Sequence, residues 1–200
     1  MTTFDRPNVK NSDQTKARIL ASAREEFEKN GILGLRVADV AQSAGCAVSL
    51  IYRYFIDRDG LLAQILGDMF DEGNDIHLAR VTELFYRKDP ISLDEVLDAI
   101  LSSKTPEQVI IRSQRIQILA ASTTNHLLRA RIEDSIRNAR KSLQTAVATA
   151  KTRLPSGTRF DDSLFIILLF NTFLFYNDLL GEEGISDEDH RTLLRDLLTR

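Results

Sequence analysis

The stretch from Val37 to Phe55, VADVAQSAGCAVSLIYRYF, constrains the fold more than any other part of the chain. Val37 to Ser43 reads as a short helix with Val37, Val40 and Ala41 on its apolar face. Ala44-Gly45-Cys46 reads as a tight turn. Ala47 to Tyr54 reads as a second helix, with Val48, Ile51 and Phe55 at three- and four-residue spacing. Ala41 is small enough to let the two helix axes approach closely. Gly45 falls where the backbone must turn left-handed, which glycine does without a Cβ clash. Two short helices crossing steeply over a glycine turn form a helix-turn-helix, the motif whose second helix enters the major groove of DNA.

The flanks extend the pattern. Upstream lies ARILASAREEFEKNG, with I-L-x-x-A-x-x-x-F inside it, and downstream lies D-R-D-G-L-L. The A-G of the turn is followed seven residues later by Y-x-Y-F. Over residues 15 to 66 this combination resembles the N-terminal domain of the TetR family of bacterial transcriptional regulators. The resemblance implies an all-α fold of about nine helices: a three-helix helix-turn-helix domain followed by a helical bundle. It divides the chain into a flexible arm at 1–12, a DNA-binding domain at 13–56 and a ligand-binding and dimerisation domain at 57–200.

Carried over by position, the resemblance places Ala47, Val48, Ser49, Tyr52 and Arg53 against DNA. Arg53 has the reach and fork geometry to donate to guanine O6 and N7, and Val48 the shape to pack on a thymine methyl. Tyr52 and Tyr54 would set hydroxyls against phosphate. Arg58 stands at the family's usual lysine position and is expected on the DNA backbone, as is Thr15 near the start of the first helix. Three positions depart from the family pattern. The serine or threonine that commonly caps the recognition helix is Ala47. The common Lys-Gly-Thr-Leu run is Val48-Ser49-Leu50-Ile51, and the threonine pair before the motif is Leu35-Arg36. Arg36 exchanges a lost hydroxyl for a charge that can meet phosphate.

Composition narrows the remaining classes. A 200-residue chain with 43% apolar and 28% charged residues has material for an ample core. Its single cysteine, Cys46, excludes an internal disulfide and a multi-cysteine zinc site. His77, His126 and His190 show no metal-ligand spacing, so neither metal nor cofactor is expected. Residues 1–60 carry nine Lys/Arg and eight Asp/Glu, against a net charge of −3 for the whole chain. That asymmetry has the sign expected of a DNA-binding end but is small, so the motif carries the inference. The polar opening MTTFDRPNVKNSDQ has no signal-peptide core, and a cytoplasmic protein is expected. No Glu-x-x-His pair, nucleophile motif or glycine-rich phosphate loop points to an enzyme.

Along the chain the first helix is expected over about 13–29, with Ile19, Leu20, Ala23 and Phe27 inward and Asn30-Gly31 closing it. A helix starting after Asp57 buries Leu61, Leu62, Ile65, Leu66, Met69 and Phe70, and Gly73-Asn74 predicts a kink or break in it. Ser92-x-x-Glu95 is a capping box, and Thr105-Pro106-Glu107-Gln108 is a further helix start. A long helix is expected from about 124 to 153. Residues 161–180, DDSLFIILLFNTFLFYNDLL, are apolar almost all round. The run from Leu164 to Tyr176 is only 13 residues and contains Asn171 and Thr172, too short to span a membrane. A helix apolar on all sides needs two buried faces, its own core and a second protein. Ser186-x-x-Asp189 then starts a final helix with Leu193, Leu194, Leu197 and Leu198. In the family the last two helices form a dimer interface, so a homodimer through 161–181 and 186–200 is expected.

The resemblance further implies a small-molecule effector inside the C-terminal bundle and an operator that is an inverted repeat. Candidate pocket residues are Phe70, His77, Phe85, His126, Asn171, Phe173 and Tyr176. A mostly apolar lining points to a hydrophobic or aromatic effector that releases a repressor from DNA. The alternative is a ligand-binding helical module whose DNA binding has degenerated, motivated by Ala47-Val48 and by the near-neutral N-terminal domain.

Overall fold

The computed structural model describes residues 9–101, 106–160, 179–180 and 183–199, with the side chains of residues 9–11 and His77 outside that description. The described residues form helices α1 (Val9–Gly34), α2 (Val37–Ser43), α3 (Val48–Phe55), α4 (Arg58–Tyr86), α5 (Leu93–Ile100), α6 (Pro106–Ala121), α7 (His126–Ala150) and α8 (Asp187–Thr199). No strand occurs among them. The all-α expectation therefore holds. The expected apolar helix at 161–180 falls outside the described residues, except for Leu179 and Leu180.

Two compact units divide the chain. The first comprises residues 1–69 with 121–131, and the second 70–120 with 132–200. The first unit reaches past the expected boundary at residue 56, taking in the start of α4 and the start of α7. Its core is Ile19, Ala23 and Phe27 of α1, Val40 and Ala41 of α2, Ile51 and Phe55 of α3, and Leu61, Leu62, Ile65 and Leu66 of α4. The α1 stripe is thus the one its periodicity predicts. The helix itself starts at Val9 rather than Asp13, and Gly31, at φ 64° and ψ −177°, interrupts it as the glycine stop requires. Asp57 caps α4, its Oδ1 accepting from the Gly60 amide at 2.7 Å. Asn125 caps α7 through the Leu128 amide at 3.0 Å, and its own amide nitrogen donates to the Asp59 carbonyl at 2.9 Å.

The second unit packs Val81, Leu84 and Phe85 of α4 with Val96, Leu97 and Ile100 of α5, Leu143, Ala146 and Ala150 of α7, Phe160, and Leu194 and Leu198 of α8. The predicted capping box is formed: the Glu95 amide donates to Ser92 Oγ, and the Ser92 amide to Glu95 Oε2. Arg191 and Arg195 of α8 pair with Asp98 and Asp94 of α5, both at 2.6 Å.

The break expected at Gly73-Asn74 does not occur. The helix is continuous from Arg58 to Tyr86. An interior glycine costs only about 1 kcal/mol, which tertiary packing outweighs. A Cβ at Gly73 would stand 3.8 Å from Ile111 and 3.9 Å from Arg115, so α6 packs over this point. The long α7 is shorter than expected, 25 residues ending at Ala150, and turns at residues 151–153 take the place of its last helical turn.

Candidate nucleic-acid interface

The helix-turn-helix is built as the sequence dictates. Ala44 and Gly45 close the end of α2, their amides donating to Val40 O at 2.8 Å and Gln42 O at 3.1 Å. Gly45 has φ 59°, the left-handed conformation predicted for it. Ala47, in extended conformation, precedes α3, and no side chain caps the helix. The first amides of α3 thus have no side-chain partner from the capping residue, and a helix N-terminus in that state favours an anion.

Ile51 and Phe55 turn inward from α3. Ser49, Tyr52 and Arg53 are exposed on its other side, with Ala47 exposed before it and Val48 half-buried. Arg36 is exposed at the start of α2, and Thr15 is half-buried on α1. This leaves a set of residues able to donate to phosphate or base edges on one motif: Arg36, Ser49, Tyr52 and Arg53.

Two of the expected DNA contacts are engaged inside the protein. Arg58 donates from Nη2 to the carbonyls of Ile32 at 2.8 Å and Leu35 at 3.3 Å, and from Nε to Leu35 at 3.4 Å. Those carbonyls lie just beyond Gly31, at and after the end of α1. Arg58 therefore ties the start of α4 to the end of α1 through these carbonyls, an engagement its expected place on the DNA backbone did not foresee. The Tyr54 hydroxyl shares a hydrogen bond with Ser12 Oγ at 3.0 Å and donates to the Ser12 carbonyl at 3.3 Å. It anchors the start of α1 rather than projecting freely. Lys16 sits over the Phe55 ring, 5.8 Å from its centroid, a cation–π contact that the sequence did not reveal.

The expected effector residues fare unevenly. Phe70 is buried on α4 beneath the Arg115 guanidinium, 4.3 Å from ring centroid to the guanidinium carbon. Phe85 is fully buried and meets Phe160 edge-on at 6.1 Å, a core contact. His126 is exposed at the start of α7, so it does not line a buried cavity. Asn171, Phe173 and Tyr176 lie outside the described residues, as does the His77 side chain. Two open clefts of about 550 and 580 Å³ are present on the second unit, one beside Val147, Lys151 and Phe160, the other beside Asp75, Tyr86 and Lys141. Neither contains an expected effector residue.

What the sequence reading missed is the polar inward face of α6, a helix it expected from its start at Pro106. Its inward residues are polar: Gln108 and Arg112 are buried, and Arg115 is partly so. Its Ile110 is 55% exposed. The signal was present as three polar residues at i, i+4 and i+7 within an otherwise isoleucine-rich helix. No described cluster of His, Cys, Asp or Glu has the arrangement of a metal site, and no described helix is long and apolar enough to cross a membrane.

Residues 19–65 match the family described as bacterial regulatory proteins, tetR family. Over 80 residues the chain is 34% identical to the transcriptional regulator TtgR of Pseudomonas putida, and equally to the probable regulator ArpR of that species. Each match covers 40% of this chain and 37% of the relative, so the likeness spans little more than a third of those proteins. Among solved structures, the fold is shared with a transcriptional regulator from Saccharomonospora viridis in complex with choline, at TM-score 0.63 and 20% identity. That likeness covers 92% of this chain and 95% of the other. It is shared also with the multidrug binding protein EbrR complexed with imidazole, at TM-score 0.65, 17% identity and coverage of 92% and 94%.

Proposed function

We propose that this chain, whose N-terminal domain matches the tetR family of bacterial regulatory proteins over residues 19–65, is a dimeric, ligand-responsive DNA-binding repressor. The observation that carries the reading is the exposed row Ser49, Tyr52 and Arg53 on a recognition helix whose other face is locked into the core by Ile51 and Phe55. In this reading Arg53 reads a base, and Arg36, Tyr52 and the free amides of α3 hold phosphates.

Dimerisation is supported by α8, where Leu194 and Leu198 are buried while Leu193 and Leu197 are 54% and 52% exposed. Leu179 and Leu180, before it, are also exposed. A pair of such faces related by a two-fold axis would bury them and match an inverted-repeat operator. A small effector with a hydrophobic or aromatic body, held in the second unit, would act as a coupling free energy on DNA affinity. The fold neighbours solved with choline and with imidazole support a small-molecule role for this architecture. A cytoplasmic protein acting on chromosomal DNA follows from the same reading.

A second reading, a ligand-binding module without DNA binding, is favoured by the uncapped α3 and by the internal engagement of Tyr54 and Arg58. Salt separates the two. Binding of the full chain to sheared genomic DNA, followed by fluorescence anisotropy, should fall steeply as salt rises and counterions are rebound. Absence of binding even at low salt would favour the second reading.

A further inference from the structure

The inward face of α6 carries a cation that the described residues leave without a counter-charge. Arg115 lies on it, one turn beyond the buried Arg112 and two beyond the buried Gln108. Its guanidinium rests on the Phe70 ring at 4.3 Å. The Nε is sealed from solvent and has no hydrogen-bond partner. Among the described residues no carboxylate forms an ion pair with it. Burial alone lowers its pKa to about 10, with no neighbouring charge acting against that fall.

Such an arrangement is costly to the unliganded fold. A guanidinium taken from water needs charged or polar partners, and an aromatic face replaces only part of its hydration. The exposed Ile110 sharpens the point: α6 turns an isoleucine outward and arginines inward, the reverse of what stability alone selects. Nε and one terminal nitrogen form the edge of the guanidinium that takes a carboxylate through two parallel bonds. With the Phe70 ring against the guanidinium face, the Nε of that edge is left unbonded.

We propose that Arg115, stacked on Phe70, binds the carboxylate of a small organic acid, and that this acid is the effector of the second unit. The proposal rests on the reading of that unit as an effector domain and narrows the effector from any hydrophobic or aromatic molecule to an acid with such a body. Phe70 and the apolar residues of the unit hold the body, and the guanidinium fork holds the head.

The test compares benzoate, phenylacetate, cinnamate and octanoate with their primary amides, using thermal melting and calorimetric titration of the full chain. At least one acid should stabilise the parent, and its amide should bind at least about tenfold more weakly, as loss of a charge-assisted bond implies. Arg115→Met should abolish acid binding. Because it removes an uncompensated cation, it should melt at or above the unliganded parent, and Arg115→Lys should bind the acid more weakly than the parent. Equal binding of acid and amide, or acid binding retained in Arg115→Met, overturns the acid assignment while leaving an effector domain in place. So does a marked drop in the melting temperature of Arg115→Met, which would make Arg115 a structural residue. Silence of every acid and every amide overturns both the assignment and the effector-domain reading beneath it.

Discussion

Ile56 is a β-branched residue in a conformation that belongs to glycine. Its φ is 69° and its ψ −59°, and over it the Asp57 amide donates to the Phe55 carbonyl at 2.8 Å. This three-residue turn is strained for any side chain, and Ile56, 83% exposed, gains no packing in return. Ile56→Gly should therefore raise stability by about 1 kcal/mol in urea unfolding, and an unchanged or lower midpoint would contradict the strain. Four residues on, Gly60 faces the opposite demand: a Cβ there would collide with the Phe55 carbonyl oxygen. Gly60→Ala should cost about 1–3 kcal/mol by the same measurement. Both positions fix how α3 leads into α4, and Arg58 reinforces the junction through the Ile32 and Leu35 carbonyls. Arg53, by contrast, touches nothing that stability needs on the exposed side of α3. Arg53→Ala should weaken binding by about 1–3 kcal/mol at one base pair per half-site and leave the melting temperature unchanged. Uniform weakening across all sequences would make Arg53 a phosphate contact instead.

Element ends were the most readable part of the sequence, because each is a local rule. Ser92-x-x-Glu95, Ser186-x-x-Asp189, Asp57 and Gly31 all act as their residue types require. Ser92→Ala should cost about 1 kcal/mol. The cap is also sensitive to acid. The Ser92 amide and then Arg87 hold the Glu95 carboxyl down to about 2, below its ordinary value of 4.5. A carboxyl lowered by folding stabilises the protein above its unfolded pKa, so this contribution is complete above pH 4.5 and lost as pH falls towards 2. The melting difference between the parent and Glu95→Gln should accordingly shrink between pH 5 and roughly pH 2. A difference that does not change with pH would contradict it. What depends on packing between elements was not legible. Gly73 read as a break because its propensity is poor, yet α6 crosses at that point and the helix runs on. Arg58 was expected on the DNA backbone because it stands at the family's usual lysine position, while the partners seen in the structure lie 23 and 26 residues earlier. The polar face of α6 was not legible because which side of a helix faces inward is set by what packs on it, and the sequence reading assigned this helix no inward face.

At the scale of the whole molecule, two compact units share α4 and α7, each helix supplying residues to both. Regulation requires those units to be coupled and two copies to act together. On the proposed reading, the exposed Leu193 and Leu197 of α8 are the face through which two copies pair. Changing both to glutamate should leave the helix folded, since Leu194 and Leu198 hold it to the core, and should convert a dimer to monomers in sedimentation velocity. A monomeric parent would contradict the assignment. The central claim is that this chain reads DNA as a symmetric pair. It is tested most directly by selecting bound fragments from a random double-stranded library with the purified full chain at moderate salt. The account predicts enrichment of an inverted repeat whose half-sites lie about one helical turn, roughly 34 Å, apart. Enrichment of a single unrepeated site, or none at low salt, would contradict it.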